Sequence, residues 1–114
     1  MPAIAFAVPV LPGKSDQMRQ FARETHGPRL EEYRASDRRL GASRESWHLQ
    51  HTPQGDFVLV YFEATDVQRV FSQFAASRDP FDVWFKQQVL EISGIDFNEP
   101  PPAAPSECLG DITV

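Results

Sequence analysis

The chain predicts an α+β fold of order β-α-β-β-α(α)-β, with one antiparallel sheet carrying its helices on one face. Three patterns point there. Two long stretches, Ser15 to Leu40 and Thr65 to Gly94, space their apolar residues at helical intervals. Three short stretches are apolar at strand spacing. Between the second and third of these lies only Pro53-Gln54-Gly55-Asp56, which fits a hairpin.

The elements follow in order. Ala3 to Val10 reads as a strand, with Ile4, Phe6, Val8 and Val10 on one face and Ala3, Ala5 and Ala7 on the other. Pro12-Gly13 turns the chain, and Ser15 is the expected N-cap of a long amphipathic helix that Gly41 closes as its C′ residue. Glu45 to Thr52 and Phe57 to Glu63 form the hairpin strands. Thr65 with Gln68 makes a capping box for a helix carrying Val67, Val70, Phe71 and Phe74. Asp79 then caps a further helix with Pro80 at its first position, striped by Phe81, Trp84, Phe85, Val89 and Ile92. Pro100 to Pro105 is a stiff connection, and Glu107 to Val114 is expected to add a short last strand. Length and composition suit one domain over residues 1–114.

The third strand is apolar on both sides, with Phe57, Leu59 and Tyr61 on one and Val58, Val60 and Phe62 on the other. Such a strand is covered twice. The helices cover one face, so the other is expected to meet a second copy of the same sheet in a homodimer. The second strand, polar on one side through Ser46, His48 and Gln50, suits an edge.

Composition narrows the function. Sixteen acidic against eleven basic residues give a net charge of −5, which argues against nucleic acid as a partner. Arg34, Arg38, Arg39 and Arg44 crowd the end of the long helix, where cations complement the last carbonyls. One cysteine, Cys108, permits no internal disulfide and no multi-cysteine zinc site, and suits a reducing cytoplasmic location. The apolar start lacks a basic leader and is broken by Pro9 and Pro12, and no stretch is long enough to span a membrane. His48 and His51 point to opposite faces of a strand and His26 lies far from both, so no metal site is expected. There is no phosphate-cradling glycine loop or nucleotide fingerprint, and no cofactor is expected.

One polar group sits out of place. At about 100° per residue, Arg29 falls within about 20° of Met18 on the helix stripe Met18, Phe21, Ala22, Tyr33, Leu40. His26 and Tyr33 lie just beside it, and Gly27-Pro28 interrupts the helix at the same point. An arginine on an apolar stripe needs a partner or a ligand. In a functional reading His26 is a general base, Arg29 holds an anionic or enolate oxygen, and Tyr33 joins them. In a structural reading His26 caps a helix segment or lies at the surface, and Arg29 pairs with Glu32, Glu63 or another carboxylate. Trp47, His48, Tyr61, Phe81, Trp84 and Phe85 are candidates to line a substrate pocket, or core and interface residues.

The element order, the two-sided sheet, the run Phe21-Ala22-Arg23-Glu24-Thr25-His26-Gly27-Pro28-Arg29 and the segment Asp79-Pro80-Phe81-Asp82-Val83-Trp84-Phe85 resemble an uncharacterised bacterial family within the dimeric α/β-barrel superfamily. That resemblance implies a ferredoxin-like protomer and a ligand pocket between the helices and the concave face of the sheet. The superfamily holds cofactor-independent monooxygenases, cyclases, isomerases, haem enzymes and proteins without known activity, so fold alone does not choose. Two expectations stand. One is a small cofactor-independent enzyme acting on an apolar or aromatic carbonyl compound through His26, Arg29 and Tyr33. The other is a non-catalytic dimer with a ligand-binding or structural role.

Overall fold

A computed structural model describes residues 2–101 and 103–114. The elements are β1 (Ala3–Pro9), α1 (Ser15–Thr25), α2 (Leu30–Leu40), β2 (Ala42–Thr52), β3 (Gly55–Ala64), α3 (Val67–Ala76) and α4 (Pro80–Ser93). The sheet is antiparallel throughout, in the order β1-β3-β2. The most apolar strand, β3, is therefore central, and the polar-sided β2 is an edge. The molecule is a small α+β domain whose sheet and helix order are compatible with a ferredoxin-like fold.

The helices lie over one face of the sheet. Ile4 and Val8 of β1 and Val58 and Phe62 of β3 are buried on that face. The core has two lobes. Ile4, Leu40, Phe62 and Phe71 centre one, and Val10, Met18, Phe21, Val58 and Ile92 the other. The opposite face pairs Ala5 with Tyr61 and Ala7 with Leu59 on one side of β3. On its other side Ser46 pairs with Tyr61, His48 with Leu59 and Gln50 with Phe57.

β2 begins at Ala42, three residues earlier than its polarity pattern suggests. The register shifts there, Ala42 pairing with Ala64 but Arg44 with Glu63. This bulge at Ser43 lets Ala42 and Glu45, three residues apart, face the helices together. Gly41, in the left-handed region at φ 87°, closes α2 as expected.

The long helix is two. Pro28 has no N–H for the carbonyl of Glu24, and the amide of Arg29 takes that oxygen instead at 3.0 Å. The amide of Leu30 then bonds to Gly27 O at 3.1 Å and starts α2. Thr25, fully buried, ends α1 by donating its hydroxyl back toward Phe21 O at 3.0 Å.

Asp79 caps α4 as read from the sequence, accepting from the Phe81 amide at 3.0 Å. Two other caps differ from expectation. Ser15 does not cap α1; its hydroxyl donates to Asp56 at 2.5 Å and ties the helix start to the hairpin. Asp66, not Thr65, caps α3, accepting from the Arg69 amide at 3.1 Å, because an Asx carboxylate at that position reaches the same donor.

The expected last strand is absent: the described sheet has three strands, and residues 103–114 form none. Pro100, Pro101 and Pro105 withhold ladder donors, and Leu109 and Ile112 stand three apart, on opposite sides of any strand. Ser106 Oγ donates to Ala5 O on β1, while Leu109 and Ile112 remain 90% and 84% exposed.

A buried polar joint holds the helices in place. Asp82 accepts from Ser36 at 2.5 Å and from Ser77 at 2.6 Å, and Arg39 bridges Asp79 at 3.2 Å. Lys86 donates to the carbonyls of Phe74, Ala75 and Ser77 at 2.8–3.1 Å, completing the end of α3. Among the described residues no helix is long and apolar enough to cross a membrane.

Candidate functional site

The two core lobes leave a cavity of about 110 Å³ between the helices and the sheet. Its walls are aromatic and aliphatic, including Phe21, Trp47, Phe71, Phe81 and Phe85. Its polar groups come from α2, β2 and the end of α4: Tyr33, Ser36 and Asp37, then Glu45, then Ser93.

α2 supplies Tyr33 and Asp37 from one face, because residues four apart stack along a helix. β2 supplies Glu45 and Trp47 from the face that the alternation of Glu45, Trp47 and Leu49 turns inward. The Trp47 indole N–H donates to Glu45 Oε2 at 2.7 Å. Asp37 and Glu45 face one another as a carboxyl pair. Burial, and then the neighbouring Glu45 charge, push the Asp37 carboxyl up to about 8. Burial raises Glu45 as well, against the opposing effect of the Trp47 N–H. Two carboxyls in such contact hold one proton between them at neutral pH, one a donor and the other an acceptor.

Tyr33 stands beside them. Its side chain is 7% exposed, yet its hydroxyl has no hydrogen-bond partner. Burial and the charges of Glu45 and Asp37 drive its ionisation far upward, so it stays a neutral phenol. A buried polar atom left unpaired costs about 1–3 kcal/mol, and native structures hold few of them. The phenol oxygen is a place where a ligand atom completes the structure.

The pair also reaches the outside. A groove of about 430 Å³ runs beside the free edge of β2, sharing Tyr33, Asp37, Ala42 and Glu45 with the inner cavity. His26, Arg34, Arg38 and Arg44 border it.

The residues marked out by the sequence fall into three groups. Tyr33, Trp47, Phe81 and Phe85 meet at the cavity. His26 is at its outer edge: exposed, its ring lies edge-on to Trp47 at 4.8 Å and to Tyr33 at 5.2 Å. His26 Nδ1 lies 2.8 Å from Ala22 O, a contact in which the ring nitrogen donates and Nε2 is left free. Arg29 lines neither cavity nor groove. Its guanidinium lies 4.0 Å from the centroid of the Trp84 ring and makes two 3.1 Å bonds to Glu32. Trp84 packs behind Phe21 and Phe81 at 5.5 and 5.7 Å. His48 and Tyr61 are on the opposite face of the sheet, and Tyr61 donates to Glu63 at 2.5 Å.

Asp37 and Glu45 were not singled out by the sequence reading. The signal was present: Asp37 is four residues from Tyr33 on the same stripe, and Glu45 alternates with Trp47 and Leu49. Each is an acid on an apolar face, as informative in kind as Arg29.

No protein-family model matches the chain, and no curated protein or solved structure matches it either.

Proposed function

We propose that the chain is a small enzyme that moves protons on an apolar or aromatic carbonyl compound held between its helices and its sheet, an isomerase- or cyclase-like reaction that needs no cofactor. The reading rests on one observation: the unpartnered Tyr33 hydroxyl beside a proton-sharing carboxyl pair at the end of an aromatic cavity. A volume near 110 Å³ suits a single ring; an engineered apolar cavity of about 150 Å³ takes benzene.

The chemistry balances without an oxidant. The Tyr33 hydroxyl donates to the ligand's carbonyl oxygen and orients it. The protonated member of the pair passes its proton to that oxygen as the carboxylate member takes one from the carbon alongside, giving the enol; reversal at another carbon isomerises the ligand. His26, with Nε2 free at the groove, relays protons to solvent. Arg29 acts at a distance, fixing Trp84 against the aromatic wall.

We also propose that the open sheet face is covered by a second copy, as in a dimeric α/β barrel, since Phe57 and Tyr61 are only partly exposed there and Leu59 is 38% exposed. A single exposed thiol, Cys108, fits a reducing, cytoplasmic setting.

The test is deuterium exchange at the methyl carbon of acetophenone in heavy water, followed by NMR. The protein accelerates exchange above buffer, and Asp37→Asn and Glu45→Gln each lower the rate by about 10²-fold or more. Tyr33→Phe weakens acetophenone binding while the free protein is as stable as before. Binding without exchange above buffer replaces the enzyme by a ligand-binding protein. Neither binding nor exchange removes the site.

A further inference from the structure

The groove outside the acid pair has a charge that the rest of the chain does not. The molecule carries −5 overall, yet Arg34, Arg38 and Arg44 all border this one groove. Their situations differ. Arg34 is held by Glu31 at 2.8 Å. Arg39, one residue on from Arg38, turns to the other side of α2 and is taken up by Asp79 and Asp82. Among the described residues Arg38 and Arg44 have no ion-pair or side-chain hydrogen-bond partner. They approach from two elements, one in the last turn of α2 and the other beside the bulge that opens β2. Sixteen carboxylates elsewhere in the chain leave these two cations unneutralised.

A cation near a helix end needs no ligand, since it complements the last carbonyls. Arg44 lies on a strand and has no such role. The groove it shares with Arg38 also contains Tyr33, whose buried hydroxyl lacks a partner and which lines the inner cavity too. A ligand bonded to Tyr33 with its ring in the inner cavity has its other end in this groove, because the two spaces meet at Tyr33, Asp37 and Glu45. The shared carboxyl pair, with its single proton, carries about one negative charge at neutral pH. An anion is therefore held at the rim, where the guanidinium groups are, and not at the pair.

We propose that the ligand is amphipathic and anionic: a single-ring or similarly small apolar carbonyl compound bearing a carboxylate, which Arg38 and Arg44 bind in the groove. Planar guanidinium forks suit the two oxygens of a carboxylate. This inference rests on the cavity reading above and adds the charge of the substrate to it. It also gives the site a polarity: the apolar end enters first, and the charged end stays at the edge of β2.

The experiment compares two probes of the same shape, 4-acetylbenzoate and 4-acetylbenzamide, by calorimetric titration of the full chain at low salt. The carboxylate is expected to bind at least about tenfold more tightly than the amide, with the preference shrinking as salt rises. In the double variant Arg38→Gln/Arg44→Gln, whose changed side chains are exposed, that preference falls to within about twofold while affinity for the amide holds. Arg34→Gln, a change at an arginine already paired, keeps most of the preference. Equal binding of the two probes by the native chain overturns the proposal and leaves the cavity reading intact, as does a preference that survives the double variant. Failure of the amide, the carboxylate and acetophenone alike overturns the cavity reading, and this proposal with it.

Discussion

Three residues divide the work of the site from the work of the fold. Tyr33 keeps a buried hydroxyl unpaired, so the hydroxyl does not stabilise the free protein. Tyr33→Phe is expected to leave the melting temperature unchanged or slightly raised, a trade of stability for function. Asp37 makes a prediction in pH. Its folded pKa is raised from the ordinary value of about 4 to about 8, so between these values the folded chain holds a proton that the unfolded chain has released. Stability therefore falls as pH rises from about 4 to 8, and is fully present only below that window. Asp37→Asn flattens this slope and makes the protein more stable than the native chain at pH 9, on the order of 1–2 kcal/mol, which urea titrations at pH 5, 7 and 9 will read. A native chain equally stable at all three would refute the shared proton. Arg29→Leu is a structural change here. Its ion pair is with the half-exposed Glu32, and its side chain is 24% exposed over Trp84. The loss is about 1 kcal/mol, not the several that a stranded buried carboxylate would cause.

At the scale of elements, the break between α1 and α2 is what lets both helices face the sheet and bring Phe21 and Tyr33 to one cavity. Gly27 is required there for space. A Cβ at this position would lie 2.7 Å from the carbonyl oxygen of Arg23, a backbone atom with little room to give. Gly27→Ala is expected to cost about 1–3 kcal/mol, seen as a lower denaturation midpoint with an unchanged slope. A neutral result would mean that the turn can repack. The joint of Asp82, Lys86, Ser36 and Ser77 does the complementary work, locking α2, α3 and α4 together through bonds that leave no member dry. Burial lowers the lysine's pKa, and the three carbonyls it caps keep it protonated nonetheless.

For the whole molecule the open question of surface is the second face of the sheet, where Leu59 is flanked by Ala7 and His48 and backed by no helix. If a second copy covers it, sedimentation at micromolar concentration gives a dimer burying about 1,500 Å² or more. Leu59→Arg then yields a folded monomer, because the residue lies outside the core of its own chain. A native chain that sediments as a monomer would remove the barrel assembly while leaving the cavity, which lies on the opposite face, untouched. In a dimer His48 and Tyr61 are interface residues, which their place away from the cavity already suggests.

Local signals determined most of the elements. Period-2 and period-3.6 patterns are written in neighbouring residues, and so are Asp79-Pro80 as a helix start, Gly41 and Gly94 as helix ends, and the Gly27-Pro28 break. The inward set of Tyr33, Trp47, Phe81 and Phe85 was legible for the same reason. What only the tertiary structure decided depends on which side a residue turns and what meets it there. Arg29 has an apolar phase on an ideal continuous helix, but the break resets that phase and turns it out onto Trp84. Glu45 is distant in sequence from Asp37, and a bulge and a helix packing on the edge strand bring them together. The last strand failed because Pro100, Pro101 and Pro105 and an irregular apolar spacing outweigh a few β-branched residues. A sequence states which residues are apolar and how they alternate. The coincidence of two acids, a phenol and an indole at one end of a cavity arises from the packing of α2 against β2, which no local pattern encodes.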